Sequence, residues 1–435
     1  MERILSDEIA QHQGKQIMLK GWIYNTRIFK DFAFVILRDR RGLVQCVLNK
    51  PEELEKIKDV QVETVIEVIG TPIKQQGSEE NYELADTSIK IVNPVMEVLP
   101  VIINKKILDL NLDTLLNNRP LTIRNVKQQA IFRIHGIAQQ AYRDFMLSRD
   151  VVEFFPPTIL TGSSEGGSEL FTVKYFEKDA KLSQSAQLYK QICIGAFERV
   201  FAIAKCFRAE KYATSRHLTE ATQYEFEMAF VDNIDQILDF LQETIRFMVT
   251  AIKTKGAKDL KTLGIEILDV PPTIPKVTMK EAQEIVFKES DGKQDDRLEP
   301  DMSPEGERIM GAWAKKTHQS NYVFITHYPK KKRAFYSQQN AEDGTLTDSY
   351  DCIAGGFEIA SGAIRINTYD TLRQSAIEKG IDPSTIEDYL NIFKYGMPPH
   401  AGFGMGVERF TQSLLEAANV REVTMFPRDV NRLTP

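Results

Sequence analysis

Cysteine and histidine are both scarce here, with four and six residues among 435. The cysteines, Cys46, Cys193, Cys206 and Cys352, lie far apart, with no CxxC pair and no histidine spaced for zinc. This argues against a disulfide framework or a structural zinc site and fits a reducing, cytoplasmic setting. No run of about 18 apolar residues occurs, so no membrane span is expected. The N-terminal MERILSDEIAQHQGKQ is polar and mixed in charge, without the apolar stretch of a secretory signal. Excess positive charge is absent too: Lys+Arg is 55 and Asp+Glu is 61, a formal net charge of −6. That removes any global sign of nucleic-acid binding without excluding it, because RNA contact needs only a local basic face.

What is present is length and pattern. A chain of 435 residues exceeds one ordinary core, so two domains or more are expected. Residues 17–48 alternate apolar and polar, with Asp, Arg and Gly at the turns, and β-rich stretches follow at 62–73 and 81–100. About five short strands in the first hundred residues predict a small closed barrel of the OB type over 1–100. The segment 101–125 lacks alternation and reads as a linker or hinge. From Val126 the spacing becomes helical, with Ile131, Ile134, Ile137 and Ala138 on one face. Strands and helices then mix to the C-terminus, giving an α+β unit over 126–435. The polar stretch near 287–305 reads as a surface excursion within it.

Four segments carry candidate chemistry. In FRAEKYATSRHLTEATQYEFEMAF, Arg208 and Glu210 follow an apolar strand, and Arg216 and His217 lie in the loop before the chain returns as a second strand. Arginine forks match phosphate oxygens bidentately, so this hairpin loop reads as an anion clamp, or else as a salt-bridged surface hairpin. GFGMGVERF lacks the flanking order of a dinucleotide fingerprint; it reads as a glycine-rich turn that ends on Glu408-Arg409 and opens a helix. In DCIAGGFEIASGAIRI, Asp351 and Glu358 could share Mg²⁺ and Arg365 could bind a carboxylate, or the segment is an ordinary strand with charges. SQSAQLYKQ places Gln184, Ser185, Gln187 and Lys190 at the start of a helix, with serine as the expected cap.

FRAE, the ending GMGVER and EFFPPTIL with Pro157 together resemble motifs two, three and one of the class II aminoacyl-tRNA synthetases, in order and across the whole chain. The N-terminal barrel makes it similar to the aspartyl, asparaginyl and lysyl subgroup, and KYGMPPHAGFGMG and REVTMFPRDVNRLTP to the shorter archaeal-type aspartyl enzymes. The resemblance implies an antiparallel catalytic sheet flanked by helices, ATP as substrate, Mg²⁺, tRNA and aspartate as partners, and a homodimer built on motif one. It implies ATP contacts at Arg208, Ala209, Glu210, Arg216, His217, Leu218, Glu358, Gly406, Val407, Glu408 and Arg409, with Arg208 and Arg409 catalytic. Glu165, Gln187, Lys190, Arg208, Ser361 and Arg365 would hold the amino acid, with Lys190 and Arg365 facing its side-chain carboxylate. An amide there would leave two cations unsatisfied. Glu358 and Ser361 would hold Mg²⁺, with Asp351 as a further ligand. In the barrel, Arg27, Phe34 and Gln45 match anticodon-reading positions.

Other readings stay open. Glu225 stands where aspartyl enzymes usually carry Asp, which favours an asparagine–tRNA ligase; Lys190 and Ser361-Gly362 favour aspartate. An aspartyl enzyme that charges both tRNA(Asp) and tRNA(Asn) is a third, and neither Tyr24 nor Gln75 decides it. A non-catalytic RNA-binding paralogue would be expected to have lost Arg208, Arg216 or Arg409, and all three are present.

Overall fold

The structure, a computed structural model, describes residues 1–75, 81–162 and 170–435. The chain divides into two compact units. One comprises residues 1–110 with 124–126, the other 111–123 with 127–435.

In the first unit β1 (Ile17–Ile28), β2 (Ala33–Arg38), β3 (Leu43–Leu48), β4 (Val65–Lys74) and β5 (Tyr82–Asn93) close into a barrel in the order β1-β2-β3-β5-β4. Closure leaves no long edge unpaired. The alternation acts as the sequence predicts: Ala33, Val35 and Leu37 of β2 point inward and are fully buried, while Phe34 and Ile36 face out. An irregularity between Ile23 and Asn25 bends the long β1, so that one strand pairs with both β4 and β2.

The second unit is built on an eight-stranded sheet. Its strands are β6 (Val152–Glu153), β10 (Arg199–Phe207), β11 (Glu220–Ala229), β12 (Lys276–Thr278), β13 (Tyr322–Thr326), β14 (Ser349–Ala354), β15 (Phe357–Ile364) and β16 (His400–Gly406). The order is β12-β13-β14-β15-β16-β11-β10-β6, antiparallel except at the two ends. A smaller sheet joins β7 (Ile159–Leu160), β9 (Lys178–Leu182) and β8 (Thr172–Tyr175). One face of the large sheet packs on the helices Val126–Ser148 and Ile234–Lys255. Phe226 stacks on Phe240 at 4.1 Å, and the Tyr142 hydroxyl donates to the Glu225 carbonyl at 2.9 Å. Ile134 and Ala138 are buried there, with Ile131 and Ile137 packed alongside. No helix among the described residues is long and apolar enough to cross a membrane.

Three expectations need correction. The segment 101–125 is not wholly a linker: it forms helices Leu112–Asn117 and Arg119–Thr122 and clusters with the second unit from Asn111 to Ile123. The reason is Arg119, almost fully buried, whose guanidinium donates to the carbonyls of Arg421 and Thr424. GFGMG is not a turn but the strand β16, where Gly402, Gly404 and Gly406 share one face at period two. The helix Gln187–Phe197 is capped at Ala186, without a side-chain bond; Ser185 Oγ instead accepts from the Gln187 N–H at 3.2 Å.

Candidate active site

The sheet face opposite the core supplies the floor of a cleft of about 530 Å³. Strand periodicity explains its composition. In β11, Tyr224 and Phe226 enter the core, while Gln223, Glu225 and Glu227 point the other way. Across the register Glu225 meets Gly404 and Glu227 meets Gly402, and Ser361 of β15 meets Gly404 from the other side. The glycines leave the floor bare. A Cβ on Gly402 would lie 2.1 Å from Glu227 Oε2, so this glycine makes room for a buried carboxylate.

Four charges fill the deep end. Lys190 Nζ donates to Glu225 Oε2 at 2.8 Å and to the Phe403 carbonyl at 2.9 Å, with Glu227 Oε2 at 3.4 Å. Arg365 Nε donates to Glu227 Oε1 at 2.9 Å and its Nη2 to the Gly402 carbonyl at 3.0 Å. The four side chains are at most 4 % exposed. Burial raises the Glu227 pKa, but Arg365 and then Lys190 outweigh it and hold the carboxyl below its ordinary range. Burial likewise works against Arg365, and Glu227 reverses it, leaving the guanidinium above its ordinary value. The formal charge of the quartet is zero. Lys190 and Arg365 therefore are not cations waiting for a ligand, and the expectation that a bound amide would leave both unsatisfied does not hold. The signal is legible in the sequence: acids at i and i+2 of a strand share a face, which places Glu227 beside Glu225.

The shallow end is cationic. Arg208, Arg216, His217 and Arg409 line it together with Glu210, Leu218, Glu358, Gly406 and Glu408. Burial first, then Arg409, Arg216 and Arg208, depress the His217 pKa to about 4, so the ring is neutral at pH 7 inside a strongly positive field. Arg409 ties the parts together, its Nη1 donating to the Glu358 carbonyl at 3.1 Å and its Nε to the Arg216 carbonyl at 3.3 Å. Glu408 accepts from the Thr222 N–H at 3.0 Å, fastening the helix Val407–Leu414 to β11. Ala209 and Val407 do not line the cleft; Val407 is core. Arg216 is held by Glu307, from the helix Pro304–His318, a partner that motif reading misses. Burial raises the Glu307 pKa to about 7 against the pull of Arg216, with Glu358 adding to the rise.

Asp351 sits away from the cleft lining. Both its oxygens accept from Arg333, at 2.9 and 2.8 Å, and Arg333 also donates to Ser361 Oγ at 3.1 Å. Asp351 is thus held by Arg333, a cleft residue that sequence reading does not identify because no motif surrounds it, and its part as a further Mg²⁺ ligand is a proposal. Burial and then Asp351 push the Glu358 carboxyl up. Among the described residues no three His, Cys, Asp or Glu side chains converge on one point. Mg²⁺ bound with a nucleotide needs only one or two carboxylates, so Glu358 with the Ser361 hydroxyl is a fitting donor set. Glu165 lies outside the described residues.

On the barrel, Arg27 pairs with Phe34 across β1 and β2, and Ile36 with Gln45 across β2 and β3. Phe34 is not core. It meets Phe32 at 5.4 Å and Phe29 at 6.0 Å, both edge-on, and those two exposed rings stack at 4.6 Å. Gln45 Nε2 donates to Glu83 at 2.6 Å. Phe29, Phe32 and Glu83 lie outside the motif-matched positions, although aromatics beside Lys30 at a hairpin tip are a readable sign of stacking on unpaired bases.

Residues 111–430 match the family model for tRNA synthetases class II (D, K and N), and residues 17–92 the one for the OB-fold nucleic acid binding domain. The chain belongs to the class II tRNA synthetases. This synthetase is 37 % identical over 433 residues to the aspartate–tRNA(Asp/Asn) ligase of Thermus thermophilus, covering 100 % of both chains. It is 37 % identical over 439 residues to the aspartate–tRNA(Asp) ligase of Thermoplasma acidophilum, again covering 100 % of both. Among solved structures, the asparaginyl-tRNA synthetase of Pyrococcus horikoshii complexed with asparaginyl-adenylate matches with a TM-score of 0.91 at 30 % identity and full coverage of both chains. The aspartyl tRNA synthetase of Entamoeba histolytica matches with a TM-score of 0.89 at 28 % identity, covering 100 % of this synthetase and 93 % of that chain.

Proposed function

We propose that this synthetase attaches aspartate to tRNA through an aspartyl-adenylate formed from ATP. The observation that carries the reading is one cleft with an arginine cluster at its shallow end and the Lys190–Glu225–Glu227–Arg365 quartet at its deep end. That is a site for a polyphosphate beside a small charged molecule. The amino-acid carboxylate attacks the α-phosphorus, pyrophosphate leaves, and the terminal hydroxyl of tRNA then attacks the mixed anhydride. No protein nucleophile is needed; the work is positioning and charge neutralisation. Arg208 and Arg409 would face the α-phosphate and the folded nucleotide, Arg216 and His217 the terminal phosphates. Gln187, Lys190, Ser361 and Arg365 would hold the amino acid, with Glu165 covering it. Glu358 and Ser361 would hold Mg²⁺, which supplies neutralisation of phosphate charge. On the barrel, Arg27, Phe34 and Gln45 would read the anticodon.

Exposed Phe155, Ile159, Phe176, Phe197 and Phe230 support a homodimer, since such a set of apolar side chains is what a second copy would cover. The cytoplasm is the setting proposed. The relatives include ligases named for both tRNA(Asp) and tRNA(Asn) and for tRNA(Asp) alone, and charging assays with each tRNA distinguish the two.

A second reading, asparagine activation, has its own support. The quartet is neutral, and Glu225 satisfies Lys190 without any substrate. ATP–pyrophosphate exchange with each amino acid decides. Exchange with aspartate alone is expected; exchange with asparagine alone would transfer the assignment, and exchange with neither would overturn both.

Glu307 gives a separate prediction, because it holds the guanidinium that the terminal phosphates would need. Glu307→Gln is expected to lower the KM for ATP about threefold at pH 8, the scale of a partly exposed ion pair. The raised carboxyl is ionised mainly above about pH 7, so the gain shrinks as pH falls below that value. An equal effect at pH 6 and pH 8 would show that Arg216 is not being withheld.

A further inference from the structure

The Gln187 amide lines the cleft, and an amide has two ends of opposite character. A buried chain of hydrogen bonds behind it decides which end faces the ligand. The chain starts at the Pro398 carbonyl, which can only accept. His400 Nδ1 lies 2.8 Å from that oxygen, so Nδ1 carries a proton. His400 is fully buried, and burial holds its pKa below the ordinary histidine value despite the neighbouring Glu227. The ring is neutral, so Nε2 is an acceptor. Gln191 Nε2 lies 2.8 Å away and must donate. The Gln191 Oε1 is thereby fixed at the opposite end, where it accepts from the Tyr389 hydroxyl at 2.9 Å and from Gln187 Nε2 at 3.0 Å. Gln187 has turned its NH₂ end to Gln191. Each assignment follows from the one before, back to a carbonyl that has no alternative role.

We infer that Gln191, Tyr389 and His400 are positioning residues that hold the Gln187 carbonyl oxygen toward the amino-acid end of the cleft, where it accepts a hydrogen bond from the ligand's ammonium group. The opposite amide orientation would present NH₂ to a cation. Gln187, Gln191, His400 and Tyr389 are each no more than 3 % exposed, so water does not compete for these bonds. Tyr389 comes from the short helix Glu387–Ile392 and Gln191 from Gln187–Phe197, so the relay also pins a distant element to the pocket wall.

The inference rests on the proposed aminoacylation reading, and the test separates the two. ATP–pyrophosphate exchange is measured on the full chain with the amino acid it activates, varying that amino acid and ATP in turn. In Gln191→Met the amide is released, and the amino-acid KM is expected to rise about tenfold or more, the loss of one hydrogen bond to a charged group, with the ATP KM unchanged. In Gln191→Glu one carboxylate oxygen still accepts from both Tyr389 and Gln187, and the other accepts from His400 Nε2 once the new charge has drawn a proton onto it, so the amino-acid KM is expected to return to within about threefold of the parent. Tyr389→Phe removes one of two donors and is expected to raise the same KM about threefold, which keeps the inference testable should Gln191→Met fail to fold. An unchanged amino-acid KM in the Met and Phe variants overturns the inference. So does a parallel rise in both KM values, or a Glu variant as impaired as the Met variant. Absence of exchange in the unaltered protein would instead remove the proposed function, and the inference with it.

Discussion

Replacing Lys190 by Met is expected to destabilise the second unit by about 3–5 kcal/mol, the cost of leaving buried charge without its partner. Lys190 is 1 % exposed and is the counter-ion shared by Glu225 and Glu227. Arg365 remains, but of the two carboxylates it bonds only to Glu227, so Glu225 loses its counter-ion. Urea unfolding of parent and variant at neutral pH measures the loss. The double variant Lys190→Met with Glu225→Gln should recover part of the loss, because a neutral amide needs no counter-charge. A single variant within about 1 kcal/mol of the parent at neutral pH would mean the quartet is not held as a closed set.

Arg409→Ala should lower kcat for pyrophosphate exchange by roughly 10²–10³-fold, the scale of removing one preorganised group that meets developing charge. Two losses combine. The guanidinium charge leaves the phosphate end, and the tie from the Glu358 carbonyl to the Arg216 carbonyl is cut. Arg409→Lys keeps the charge but not the fork and should fall between. An independent readout is His217. After burial, Arg409 is the largest influence depressing its pKa, so the ring should titrate closer to the ordinary histidine value in Arg409→Ala. Magnetic resonance of the imidazole would follow it. A His217 pKa that does not move would show that the two side chains do not share one field.

The barrel and the phosphate end of the cleft were legible for physical reasons. Period-two alternation is strong where one face of a strand is sealed, as at Ala33, Val35 and Leu37. The arginines announce themselves because Arg208 lies beside Ala209, Arg216 beside His217, and Arg409 three residues after the last glycine of GFGMG. The charge state of the amino-acid end was not legible. It depends on Glu227 meeting Arg365 and on Glu225 reaching Lys190, pairs 138 and 35 positions apart. Arg333 and Glu307 come from segments without a motif and act by folding back onto Asp351 and Arg216. The glycine strand is hidden in the sequence because GxGxG suggests a turn when its neighbours are unknown; paired between β11 and β15, the same residues are a smooth floor.

That floor also decides where the cavity can change size over generations of substitution. Position 402 is closed to any side chain: besides Glu227, the Phe226 carbonyl oxygen would stand 2.2 Å from a new Cβ, and shortening Glu227 would not move a backbone atom. Gly404 is different, since the atoms nearest to a Cβ there would be side-chain oxygens of Glu225 and Gln223, at 3.5 Å or more. A single methyl group at 404 fits without strain and would rest beside the carboxylate that neutralises Lys190. Drift in the volume of this pocket thus has room at Gly404, while its neighbour two positions back is locked by the backbone across the sheet.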